Sequence, residues 1–256
     1  MSTRLHIIVG DDKEFQVQRE LLCKHSDLFK DICSEFASYE QPIRLIHADK
    51  DTFASFVGYI HDEDIHLATG IPTSIHQKSD GPTHAKRQSS FLHLSKCHIL
   101  GWDLRAYGFC NDVMDVLVEF SKKGHNLRFI AGGTEEIREY VASQANNTPI
   151  HELLDDNYVG FARCGTRLED FTKMADPKEM EDFFRVLEGI SKSEMLDKDN
   201  KLKFPWERHF CYYHTHPGRE EGYLCAEKNI ESKAKRVTKM RIKDEDEGES
   251  KLDLQG

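Results

Sequence analysis

At 256 residues the chain is long enough to bury a real core, as one sizeable domain with a smaller one or as two. Its charged fraction of 31% and mean hydropathy of -0.62 point to a soluble protein, and no apolar run approaches the ~20 residues that span a bilayer. The net charge of -10 argues against non-specific nucleic-acid binding as the main task.

In chain order, Leu5, Ile7 and Val9 alternate with His6 and Ile8, which predicts a strand with at least one buried face. Gly10-Asp11-Asp12-Lys13 is turn chemistry, because glycine tolerates positive φ and aspartate side chains bond nearby amides. Phe15 and Val17 alternate with Gln16 and Gln18, giving a second strand and a hairpin. Leu21, Leu22, His25 and Leu28 recur at helical spacing, and Ser26 is placed to cap a second helix carrying Phe29, Ile32, Cys33 and Phe36. Ile43-Arg44-Leu45 reads as a short third strand. Phe53, Phe56, Val57 and Ile60 form one stripe of a helix, with Asp51 or Thr52 as its cap. Residues 67 to 90 contain Gly70, Pro72, Gly81 and Pro82 with few large apolar side chains, which predicts a flexible inserted loop. Beyond it, Leu94 to Leu100 and Asn111 to Leu117 read as a helical pair.

In this order, with these corner residues, the stretch resembles the BTB/POZ domain. The carrying pattern is an apolar strand ending in Gly10-Asp11, then Phe15-Gln16-Val17-Gln18-Arg19, Leu21-Leu22, Ser26-Asp27-Leu28-Phe29, Ile43-Arg44-Leu45, Phe53 to Tyr59 and the closing pair. The resemblance covers roughly residues 4 to 120, and the layout is similar to fungal BTB proteins with a helical region after the domain. It implies an α+β fold: a small mixed sheet capped by a cluster of helices, followed by a mainly α-helical C-terminal region. The expected organisation is a BTB/POZ-like domain over 1–122 with the insertion at 67–90, then a helical region over 123–200. A Cys/His-rich aromatic segment follows at 201–225, and a charged tail at 226–256 that is expected to be disordered or a frayed helix.

Within the helical region, Thr134 after Gly132-Gly133 is a helix start, with Ile137, Tyr140 and Val141 on one face. Asp176-Pro177-Lys178-Glu179 is a capped helix start followed by the stripe Met180, Phe183, Phe184, Leu187 and Ile190. That stripe packs on its neighbours or offers a groove to a partner peptide. In the tail, Lys233-Ala234-Lys235-Arg236 with Lys239, Arg241 and Lys243 is either a solvated face or a basic patch for nuclear import or nucleic acid.

Site chemistry concentrates at Cys211-x-x-His214-x-His216 followed by Cys225. Zinc takes soft or borderline donors at tetrahedral geometry, Cys-x-x-His reaches one ion across a tight turn, and Pro217-Gly218 lets the chain reverse toward Cys225. His209 is a further candidate donor, which leaves the ligand set open. The spacing departs from the usual paired knuckles, and the alternative is that the cysteines are small buried hydrophobes and the histidines surface groups. Cys211 and His214 are also the obvious candidate pair for a thiolate nucleophile. No oxyanion hole or phosphate loop accompanies it, so catalysis is not expected.

The resemblance thus implies a non-enzymatic protein–protein interaction adaptor or scaffold. The alternatives are a substrate adaptor of a cullin-based ubiquitin ligase and a nuclear regulator using the basic tail. Three positions depart from the family. Arg4 stands where an Asp is common, Gln18 stands where a His is common, and Phe36-Ala37-Ser38-Tyr39-Glu40 lacks the hydrophobic-x-Glu mark of cullin binders. With Met1 to Arg4 alone before Leu5, self-association by N-terminal strand exchange is not expected. The seven scattered cysteines and the short apolar run of MSTRLHIIVG favour reduced thiols and an intracellular location, cytoplasmic or nuclear.

Overall fold

The computed structural model describes residues 4–35, 41–70, 84–123, 135–143, 148–163, 207 and 211–216. Residues 1–215 form one compact unit, and a second, 216–256, is described at His216 alone. Among the described residues the fold is mixed α+β, a three-stranded sheet with mostly helical surroundings.

The sheet runs in the order β2-β1-β3. Strand β1 (Arg4–Val9) pairs antiparallel with β2 (Lys13–Gln18), Leu5 opposite Val17 and Ile7 opposite Phe15. It pairs parallel with β3 (Ile43–Leu45), Ile7 opposite Ile43 and Val9 opposite Leu45. The central position explains why Ile7, Ile8 and Val9 are all buried: that part of β1 is covered on both faces. Gly10 makes the corner at a φ of 59°, a conformation that costs glycine little, and its N–H donates to the Leu45 carbonyl at 3.0 Å.

Helices α1 (Arg19–His25) and α2 (Asp27–Glu35) meet at Ser26. The Ser26 hydroxyl accepts from Phe29 N–H at 3.2 Å, the capping role its position predicts. The same hydroxyl donates to the Leu104 carbonyl at 2.5 Å, and Asp27 and Leu28 N–H reach the carbonyls of Arg105 and Leu104. Two orphan donors of α2 are therefore met by a distant corner of the chain.

Helix α3 (Lys50–Asp62) starts earlier than its apolar stripe implies. Its N-cap is Asp49, not Asp51 or Thr52: the Asp49 carboxylate accepts from Asp51 N–H at 3.0 Å, Thr52 N–H at 2.9 Å and Thr52 Oγ1 at 2.7 Å. Burial disfavours the ionised carboxylate, but these hydrogen bonds outweigh it and hold its pKa below the ordinary value. Phe53, Phe56 and Ile60 are fully buried. An aromatic chain crosses from sheet to helices, with centroids 5.0 Å apart for Phe15–Phe53, 5.4 Å for Phe56–Phe109 and 5.0 Å for Tyr59–Phe109. Each fully buried ring contributes about 2–3 kcal/mol of transfer free energy.

After α4 (Ile65–Thr69), α5 (His84–Asp103) and α6 (Tyr107–Lys123) form the closing helical pair. The expected loop at 67–90 is therefore shorter than its composition implies: residues 67–69 and 84–90 are helical, and Ala85, Lys86, Arg87 and Gln88 are good helix formers. The corner between α5 and α6 holds Arg105 at a φ of 50°. Arg105 N–H donates to Trp102 O and Ala106 N–H to Gly101 O, a Schellman pattern with arginine where glycine is usual. Tyr59 OH donates to Asp112 of α6 at 2.7 Å, and burial together with that carboxylate pushes the phenol far up, so it stays protonated as the donor.

Two more helices, α7 (Glu135–Ser143) and α8 (Pro149–Arg163), pack on α5 and α6. Ile137 and Val141 are buried and Tyr140 is half-buried, as their spacing predicts, and Ile150, Leu153 and Leu154 join the same core. Thr134 and the expected helix from Asp176 lie outside the described residues.

Two measurements check this account. Ser26→Ala removes a cap and a buried donor at one point; we expect a loss of about 2 kcal/mol in urea unfolding. His98 is fully buried in α5, and burial, reinforced by His151 and His214, lowers its pKa to about 3. It stays neutral in the folded chain while the unfolded chain takes a proton below about 6.5. Stability is therefore present above that value and drains as pH falls from there toward 3, by about 1.4 kcal/mol per pH unit for one proton. In His98→Gln the slope of unfolding free energy against pH between about 6 and 4 should be shallower by about that amount.

Candidate functional site

Apart from Glu207, the described part of the Cys/His-rich segment is the turn Cys211–His216. It closes on itself through His214 N–H to the Cys211 carbonyl at 3.1 Å, the tight turn that Cys-x-x-His spacing requires. Side chains then fasten it to the helices. Asn111 on α6 grips the backbone of Thr215 from both sides, its Oδ1 accepting from Thr215 N–H at 2.9 Å and its Nδ2 donating to Thr215 O at 3.2 Å. One turn further along the same face, Asp115 Oδ1 lies 3.1 Å from His214 Nε2. Tyr213 is buried, and its hydroxyl donates to the buried Asp156 of α8. Tyr212 stays at the surface, its ring edge-on to Tyr213 at 4.9 Å.

This anchoring gathers the donors. One ligand atom each from Cys211, His214 and His216 lies within 4.8 Å of the others. All three residues are half-buried, and the His214 side chain is only 3% exposed. Of the four residues that spacing selects, the structure brings together Cys211, His214 and His216; Cys225 and the further donor His209 lie outside the described residues, as do residues 36–40 and 233–243.

Sequence reasoning did not single out Asn111, Asp115, Tyr213 or Asp156. The signal for the first two was present as a polar i, i+4 pair on a helix whose Val113, Met114 and Leu117 are buried. Nothing local could show that their partner arrives about a hundred residues later.

A second polar cluster lies between α3 and α5. Ser55 Oγ sits 3.0 Å from His93 Nε2 and 3.1 Å from the Asp51 carbonyl, with Cys97 Sγ 3.6 Å from the same imidazole nitrogen. Burial lowers the His93 pKa and pushes the Cys97 thiol far up. The group therefore holds a protonated thiol beside a weakly basic imidazole, which is packing chemistry and not that of an activated nucleophile.

No helix among the described residues is long and apolar enough to cross a membrane. No protein-family model matches the chain, and no curated protein or solved structure matches it significantly.

Replacing Asn111 by Ala removes both hydrogen bonds to Thr215. The expected result is a loss of about 2 kcal/mol, with faster hydrogen exchange at Thr215 N–H than at the amides of α6.

Proposed function

We propose that the chain is a non-enzymatic protein–protein interaction adaptor built on a BTB/POZ-like module. The observation that supports this reading is the order and pairing of the elements from Leu5 to Leu117. A hairpin is followed by a helical pair, then by a third strand that returns parallel to the first, a capped helix and a closing helical pair. This is the order by which the sequence resembles that family, and in that family the module's task is to hold other proteins.

The reading assigns α7 and α8 to the same body as the module. Ile137, Val141, Ile150 and Leu153 share a core with Leu94, Val113 and Leu117. Cutting the chain after Lys122 would expose that apolar surface, so partner binding is best assayed with the whole chain. The test is affinity capture of the full chain from its own cells, with quantification of what accompanies it. The expected result is one or a few proteins in amounts comparable to the chain itself. A cullin among them would specify the ubiquitin-ligase adaptor. Recovery of nothing above an unrelated control of the same size and charge would sink the adaptor reading.

A further inference from the structure

The turn Cys211–His216 has the composition and the support of a metal site. A thiol and two imidazoles are the donors that suit zinc over magnesium or calcium. Their ligand atoms lie within 4.8 Å of one another. Zinc bonds of about 2.0–2.3 Å place tetrahedral donors roughly 3.3–3.8 Å apart, a spacing that small side-chain rotations reach from here. The surroundings match as well. Asp115 Oδ1 engages His214 Nε2 at 3.1 Å, a carboxylate–histidine pairing of the kind that orients zinc ligands. Asn111 fixes the peptide of Thr215, the residue between the two histidines, through two hydrogen bonds. The aromatic anchor Tyr213, buried against Asp156, fixes the turn from its other side.

We propose that Cys211, His214 and His216 bind one zinc ion. The ion clamps the turn, and through Asn111 and Asp115 it is braced on α6. On binding, Cys211 gives up its thiol proton to solvent and coordinates as the thiolate, while both histidines coordinate as neutral imidazoles. The fourth position of the tetrahedron is taken by water or a further donor. Asp115 is a positioning residue, acting through His214. The site stands apart from the adaptor reading: partner capture can fail while zinc binds, and the reverse.

The test uses the full chain purified without chelator, with elemental analysis for metal. About one equivalent of zinc is expected in the wild type, and less than about a tenth in Cys211→Ala and His214→Gln. After removal of zinc, addition of cobalt(II) alone should give a thiolate-to-cobalt charge-transfer absorption in the wild type. That band should be absent in Cys211→Ala, with circular dichroism showing that the variant keeps its helices. Asp115→Asn should keep the band and weaken zinc binding about 10- to 100-fold, which a merely structural surface carboxylate would not do. Less than about a tenth of an equivalent of zinc in the untreated wild type, together with no cobalt band, overturns the proposal.

Discussion

A methyl group at position 101 would sit 2.8 Å from Cys110 Sγ and 2.9 Å from Phe109 Cδ1, so α5 and α6 reach their observed separation only over the hydrogen of Gly101. That close approach sets what can be built on the pair. It brings the α5 C-terminus into a Schellman turn at Leu104–Ala106, whose carbonyls are then presented to the start of α2. The first helical hairpin is therefore fastened to the second by polar bonds that neither could form alone. A larger residue at 101 would push Phe109 and Cys110 aside and move the corner. The damage would extend to Ser26, 75 positions earlier in the chain, because the Leu104 carbonyl that receives its hydroxyl would shift.

Helix α6 then serves neighbours in several directions with different chemistry. Its apolar residues Val113, Met114 and Leu117 enter the core. Asp112 takes the hydroxyl of Tyr59 from α3, and Asn111 and Asp115 take the returning turn. Within five residues the helix thus uses polar side chains as docking points, where an isolated amphipathic helix would use them for solvation. Each such bond is worth only about 1 kcal/mol net. Their directionality matters more than their sum, since apolar contact alone would not fix the register of a turn on a helix surface.

How much of this was legible in the sequence follows from range. Strand alternation, the Gly10 corner and the Ser26 cap are encoded within a few residues, and each lies where the pattern puts it. Errors arise where a helix begins in polar sequence. The stripe that predicts α3 opens at Phe53, yet Lys50-Asp51-Thr52 already form the first turn, and the capping carboxylate is one residue further back. The start of α5 is hidden for the same reason: its first turns carry no apolar stripe, and glycine and proline upstream read as a loop. The clustering of Cys211, His214 and His216 was legible because their spacing is local. Their bracing by Asn111 and Asp115 was not, since hydrogen bonds spanning 99 to 104 positions leave no local trace.

The same burial that builds the core also decides which thiols can do chemistry. Cys97 and Cys110 lie in the α5–α6 interior, and desolvation pushes both thiols far above the ordinary value. Cys23 is pushed up to about 11, by burial first and then by its neighbour Cys33. At Cys97 and Cys110 a thiolate would be a desolvated charge, and at Cys23 burial and Cys33 outweigh the opposing pull of the Arg19 guanidinium. Cys211 differs in place and company: it is half-buried, in a turn held by side chains, with two imidazoles within ligand distance. A divalent cation there would supply the positive charge that stabilises the thiolate, and the imidazoles would add two donors without adding charge. The interior cysteines are thus fixed as small apolar groups, and Cys211 is the described thiol whose surroundings match the coordination chemistry of zinc.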